Sequence, residues 1–216
     1  MLSLRADKKA KTRRSLIDSA LRLIAESGIG GVSLREVARE AKLSPTAFYR
    51  HFNDMDELAL ALVDEVGISL RQMMRQARLR AAAKGSGVIQ RSVEAFMEFV
   101  QDYPHLFRLL LGGRSGSSSE FRKALHAEME RFIAELQDDL EKGARASKLP
   151  MLDGHLAAEA IVAVVFTVGA EFLELPAAKR SDLAERIMQE IRIIIRGAQT
   201  LAKKRKAPRV PTRKSS

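Results

Sequence analysis

Residues 33–52 read SLREVAREAKLSPTAFYRHF, and this stretch decides the fold. It predicts two short helices joined by a tight turn. Ser33 and Glu36 have the S-x-x-E spacing of a capping box, in which each side chain satisfies a backbone N–H at the helix start. Leu34, Val37, Ala38 and Ala41 follow at helical spacing, so one face is apolar while Arg35, Arg39 and Lys42 look outward. Ala41-Lys42-Leu43 forms the turn. Ser44 then offers a side-chain oxygen to a second helix start, and Pro45 stands where the first helical position tolerates proline. The second helix is expected over 45–51. Phe48 and Phe52 are four apart and turn inward, which leaves Thr46, Ala47, Tyr49, Arg50 and His51 outside. Small residues at the leading end, then hydroxyl, guanidinium and imidazole groups, suit a helix that enters a DNA groove. The small side chains approach base edges and the polar ones hold phosphates.

Charge is distributed to match. The 216 residues include 37 Lys and Arg against 27 Asp and Glu. Residues 1–60 hold 11 basic and 8 acidic side chains, 61–202 hold 19 of each, and 203–216 hold 7 basic and no acidic ones. The excess therefore belongs to the two ends, and the first end adjoins the groove-reading pair, which suggests phosphate contacts. In the N-terminal RADKKAKTRR, Arg5, Lys9, Arg13 and Arg14 are candidates for backbone contact, with Arg5 able to reach a minor groove. A solvated charged helix start reads equally well for any one of them. The absence of cysteine excludes disulfides, thiolate metal sites and cysteine nucleophiles, and fits a cytoplasmic protein. No apolar run reaches the roughly 18 residues of a membrane span, and the charged N-terminus lacks the apolar centre of a secretory signal.

The rest of the chain predicts an all-α protein of about nine helices: an N-terminal three-helix head with the helix-turn-helix over 1–54, a larger helical body over 55–204, and a basic disordered tail over 205–216. Asp54 and Glu57 form a second capping pair. After them a long helix over 55–83 carries Leu58, Leu62, Val66, Leu70 and Met73 on one face and links head to body. Arg71, Arg75, Arg78 and Arg80 read mainly as its solvated side. Further helices are expected over 88–101, 104–111 and 119–142, with a loop over 143–154. The next helix, apolar on nearly every side, must be covered on more than one side. With a last amphipathic helix over 181–204, it is expected to pack on a second copy as a four-helix interface about a two-fold axis. A dimer also fits a palindromic operator, since two recognition helices one DNA turn apart read two half-sites.

Catalytic constellations are weak. His51, His105, His126 and His155 are scattered, and the serines near Ser115 lack a nucleophile-elbow context. His126 and Glu130 could share a metal ligand set, but one such pair on a polar face reads more simply as solvated. No enzyme activity, cofactor or metal is expected. A binding cavity in the body has better support. Phe96, Phe99, Phe107, Phe132 and Phe166, with Leu110, Leu136 and Gly169, could line an apolar space between helices. Plain core packing suits each of them as well.

The whole pattern resembles the TetR family of bacterial transcriptional repressors, whose second head helix typically ends like Phe48-Tyr49-Arg50-His51-Phe52. RADKKAKTRRSL, SLREVAREAKLSPTAFYRHFNDMDELALALVDE, LRQMMRQARLR and FRLLLGGRSGSSSEFR are similar to the FabR and DesT type of that family, repressors of unsaturated fatty acid synthesis and desaturation. The resemblance implies a homodimeric repressor of a double-stranded DNA operator, dimerised through about 156–175 and 181–204. It implies a hydrophobic effector such as a long-chain acyl-CoA and no membrane partner. DNA contacts would come from Arg5, Arg13, Ser33, Arg35, Ser44, Pro45, Thr46, Ala47, Tyr49, Arg50 and His51. An acyl chain would lie among the body aromatics, with Arg114 and the helix start at 117–119 near its polar end. Gly112-Gly113 depart from the charged residues that can precede that position. A repressor of an efflux or other operon with a different hydrophobic ligand is the alternative.

Overall fold

Among the described residues nine helices follow one another with no strand between them; the computed structural model describes residues 2–28, 32–84, 87–112, 118–176 and 179–206. The first, α1 (Leu2–Ser27), starts polar and becomes amphipathic, burying Leu16, Ile17, Ala20 and Ile24. It stops at Gly28, whose φ of 76° lets its N–H donate to the Ile24 carbonyl at 2.9 Å. A Cβ at Gly28 would lie 3.2 Å from Nδ1 of His105, so this glycine also permits close approach between α1 and the body.

The capping box before α2 (Leu34–Glu40) is complete: Ser33 Oγ accepts from the Glu36 N–H, and Glu36 accepts from the Ser33 N–H at 2.8 Å. The turn passes through Lys42 at φ 56°, a left-handed conformation usually left to glycine, and is closed by Leu43 N–H donating to the Ala38 carbonyl at 2.8 Å. Then α3 (Pro45–Phe48) begins with Ser44 Oγ accepting from the Ala47 N–H at 3.2 Å. This helix is shorter than the expected 45–51. Residues 49–51 continue the spiral as a tighter turn, with His51 N–H donating to the Phe48 carbonyl at 2.8 Å. Phe48 and Phe52 fill the head core at ring centroids 5.6 Å apart.

The connecting helix α4 (Met55–Ala83) matches its expected range and buries Leu58, Leu62, Val66 and Leu70. Its cap is shifted by one residue from a strict box: Asp54 accepts from the Glu57 N–H, while Glu57 accepts from the N–H of Asn53, not of Asp54. Helices α5 (Val88–Asp102) and α6 (Pro104–Leu110) fold back, and α6 packs against α1.

The largest departure is α7 (Ser119–Ser147), which runs straight through Gly143, where a loop was expected from 143. A mid-helix glycine costs only about 1 kcal/mol. Here Asp138–Lys142 (2.5 Å) and Glu141–Arg145 (3.6 Å) pair at i,i+4 spacing across the site. The helix ends instead at Lys148, in the left-handed region at φ 55°.

Helix α8 (Gly154–Glu174) is long and apolar enough to cross a membrane by length and composition, yet it lies against α5, α7 and α9. Gly169 allows this: a Cβ there would fall 2.8 Å from the rings of both Phe96 and Phe107. Helix α9 (Ser181–Lys206) extends past the expected end at 204, so the first two tail residues are helical. The remainder of the tail, the 29–31 corner, the serine run at 115–117 and Arg114 lie outside the described residues, as does the side chain of Arg5.

Candidate nucleic-acid interface and body cavity

Caps and core together leave one polar face on the head. Ser33, Arg35, Ser44, Pro45, Thr46, Tyr49 and Arg50 are exposed, and Ala47 and His51 are half-buried. Tyr49 is 59% exposed although its ring meets Phe48 edge-on at 5.9 Å. An apolar ring held outward in this way offers its hydroxyl to a partner. From α1, the Arg13 guanidinium lies 4.7 Å over the Phe52 ring. The cation–π contact fixes Arg13 beside the end of α3 rather than leaving it loose on a charged arm. Burial, then the positive charges of Lys9, Arg13 and Arg50, hold the His51 imidazole below its ordinary value. Its Nδ1 is buried without a hydrogen-bond partner among the described residues. Lys9 and Arg13 of α1, with Arg50 and His51 of the turn after α3, thus form one basic cluster. Arg14, four residues before Asp18, is instead occupied by Asp18 (2.9 Å) and by Glu65 of α4 (2.7 Å), and ties α1 to the connecting helix.

In the body, α4, α5, α7, α8 and α9 line a partly open cavity of about 610 Å³. Phe96, Phe132, Leu136 and Phe166 line it, with Leu70, Met74, Ile161, Val165, Ile191 and Ile195. Behind that wall, Phe107 packs edge-on to Phe96 at 5.4 Å and Gly169 lies beneath both rings, so these two support the lining without reaching the space. Phe99 turns to Tyr103, 5.5 Å away, and Leu110 is buried in the core; neither lines the cavity. A larger open cleft of about 830 Å³ at the α7–α8 connection shares Ala144, Leu149 and Met151 with the cavity, so the two adjoin.

Four charged residues belong to the cavity wall where the sequence reading did not place them: Arg71 and Arg78 of α4, expected on its solvated side, and Glu135 and Asp139 of α7. The expected solvated face of α4 is half ionic clamp. Arg71 pairs with Glu135 at 3.0 Å and Arg78 with Asp139 at 2.5 Å, while Arg75 and Arg80 are exposed. The seven-residue spacing of Asp64, Arg71 and Arg78 marks one helix stripe, but nothing in the sequence pairs that stripe with α7. Among the described residues no group of three or more His, Asp or Glu could hold a metal ion, and His126 lies 3.9 Å from Glu130 on an exposed face.

Two family profiles match. One, for the regulatory proteins of the bacterial tetR family, covers residues 16–62; the other, for the tetracyclin repressor-like C-terminal domain, covers residues 86–194. The chain belongs to the TetR family. It is a TetR-type transcriptional regulator, with a helix-turn-helix DNA-binding head and a ligand-binding helical body. Solved structures share the TetR fold over most of the chain. A protein of unknown function from Rhodococcus sp. RHA1 is 25% identical, with a TM-score of 0.60 over 87% of this chain and 95% of that one. The fatty acid degradation regulator FadR from Bacillus halodurans is 16% identical, with a TM-score of 0.64 over 85% and 94%. RolR in complex with resorcinol is 21% identical, with a TM-score of 0.59 over 89% and 95%. In TetR terms, α2 and α3 are the helix-turn-helix pair and α4 joins it to the body.

Proposed function

We propose that this TetR-family chain is a homodimeric repressor. It binds a palindromic operator through 44–51 and the Arg13 cluster, and it responds to a mainly apolar effector held in the body cavity. The observation that carries the reading is the partly open space of about 610 Å³, walled mainly by aromatic and aliphatic side chains and bounded on one side by α4, the helix that holds the head. Its size falls within the roughly 300–1,000 Å³ of small-molecule sites. Thr46 and Ala47 would approach base edges; Ser44, Tyr49 and His51 would hold phosphates; Arg35 and Arg50 would add base or backbone contacts.

The family resemblance implies a long-chain acyl-CoA or acyl thioester as the effector, and genes of unsaturated fatty acid synthesis or desaturation as those controlled. An acyl chain suits the mainly apolar lining, and the adjoining cleft would give a bulky polar head a way out. The resemblance to the FabR and DesT type is what suggests it, and one fold neighbour, FadR, is a regulator of fatty acid degradation. A repressor of an efflux or other operon, with a different hydrophobic ligand, is the second reading; RolR holds resorcinol in a related fold. Dimerisation would use the outer faces of α8 and α9, where Leu156, Ile193 and Leu201 are exposed and Gly197 has open space beside it.

The test is operator affinity by fluorescence anisotropy at fixed salt, using the palindrome upstream of desaturation or synthesis genes, with unsaturated and saturated long-chain acyl-CoA titrated in parallel. Different shifts by the two chains support the lipid reading. Tight DNA binding that ignores both assigns the cavity to another hydrophobic ligand.

A further inference from the structure

Helices α4 and α7 are fastened by charge. Along the seam, Asp64 meets Arg131 (2.6 Å), Arg71 meets Glu135 (3.0 Å) and Arg78 meets Asp139 (2.5 Å), so residues 64, 71 and 78 on α4 meet residues 131, 135 and 139 on α7. Between the first two rungs lies Glu128, 0% exposed, held by Arg71 and by Arg131 at 2.7 Å. A buried carboxylate needs such partners, because an unpaired charge out of water is strongly unfavourable. Gly67 makes room for it: a Cβ there would fall 2.0 Å from Glu128 Oε1.

Arg71 belongs to two structures at once. Its guanidinium completes the buried Glu128 pair, and it also lines the cavity, 5.6 Å over the Phe132 ring, which lines the cavity too. Its other partner, Glu135, is 41% exposed and can turn to water, whereas Glu128 cannot. A monoanion entering from the cavity can therefore replace Glu135 on Arg71 with no net change of charge in the wall. A polyanion would leave surplus negative charge against an apolar lining.

We propose that the effector carries a single carboxylate on an apolar body, that Arg71 is the residue that recognises it, and that capture of Arg71 from Glu135 removes one rung of the α4–α7 seam and loosens α4 there. The inference rests on the reading of the cavity as the effector site and departs from it in one respect: the apolar body ends in a free carboxylate and not in a thioester. It adds the chemical class of the head group and the contact through which occupancy reaches the helix that carries the head. Arg is suited to the task because its planar fork exchanges one carboxylate for another without changing geometry.

The test uses the full chain and three probes of equal chain length: dodecanoate, 1-dodecanol and dodecanoyl-CoA, each below its aggregation limit, with binding read by calorimetry. Dodecanoate should bind about tenfold tighter than the alcohol, the scale of one charge-assisted pair. Glu135→Gln removes the competitor without touching the buried pair, and should raise the preference for dodecanoate over the alcohol. Arg71→Gln should abolish that preference, and Arg75→Gln, on the exposed side of α4, should leave it as in the wild type. Hydrogen exchange in the second half of α4 should rise with dodecanoate in the wild type. Because the Glu135→Gln effect is a gain, misfolding cannot mimic it. If dodecanoate and dodecanol bind equally, the effector-cavity reading stands and the Arg71 proposal is overturned. Preference for dodecanoyl-CoA over dodecanoate also overturns it, in favour of a thioester. If no probe binds, the apolar-effector reading falls as well.

Discussion

His51 sits where the head's chemistry can be read by pH. Burial first, then Lys9, Arg13 and Arg50, hold its folded value below the ordinary 6.5. The unfolded chain therefore takes up the proton first as pH falls. The stability this neutral histidine lends is present above the ordinary value and is lost as pH drops through it. A DNA phosphate beside the ring reverses the sign, since a nearby anion favours the imidazolium. Operator affinity should therefore rise as pH falls from about 8 to about 6, and His51→Gln should flatten that slope. Anisotropy titrations across the range decide it; equal slopes for wild type and variant would remove His51 from the phosphate contacts. Gly67 makes a second residue-scale prediction. Gly67→Ala gains about 1 kcal/mol of helix propensity. It also drives a methyl into Glu128, whose position is fixed by two arginines. Overpacking of this kind costs about 1–3 kcal/mol, so the net effect should be a loss. Thermal unfolding should show a Tm lower by a few degrees, roughly 2–4 °C per kcal/mol for a chain of this size.

Helix α3 is too short to hold itself; four residues cannot nucleate a helix in water. Ser44 at its cap, the Lys42 turn and the burial of Phe48 hold it. Ser44→Ala should therefore weaken operator binding more clearly than it lowers the stability of the whole protein, whose loss would be about 1 kcal/mol. Parallel anisotropy and denaturant titrations separate the two. The same local logic explains what could be read in the sequence. Both caps of the head, the range of α4 and the inward Phe48 and Phe52 follow from spacing within a few residues. The end of α7 did not follow, because Gly143 looked like a stop, while the i,i+4 pairs around it carry the helix on. The ladder between α4 and α7 was illegible for a different reason: its partners lie more than sixty positions apart, and a charged stripe on a helix reads as solvated until its neighbour is known. The aromatics divide in the same way. Phe96 and Phe166 line the cavity while Phe99 and Phe107 do not, and which way each ring turns is decided by packing between helices.

As a whole, the molecule is a small reading head joined to a hollow helical body, with α1 packed on α6 and α4 running from one into the other. On α8 and α9 the large apolar side chains of Leu156, Ile193 (69%) and Leu201 are exposed, which suits contact with a second copy. Ile193→Glu should shift the protein toward monomer in analytical ultracentrifugation and should reduce operator affinity sharply, because each head then binds a half-site alone. The account as a whole rests on sequence-specific recognition of DNA by paired heads. The measurement that tests it most directly is selection of DNA by the full chain from a randomised duplex pool, followed by anisotropy of the enriched site against its scrambled counterpart at one fixed salt concentration. The account predicts a palindrome whose half-sites lie about one helical turn apart, bound far more tightly than the scrambled duplex, with Tyr49→Ala and Arg50→Ala weakening the specific complex. Enrichment of no common site, or equal binding of selected and scrambled DNA, would contradict it.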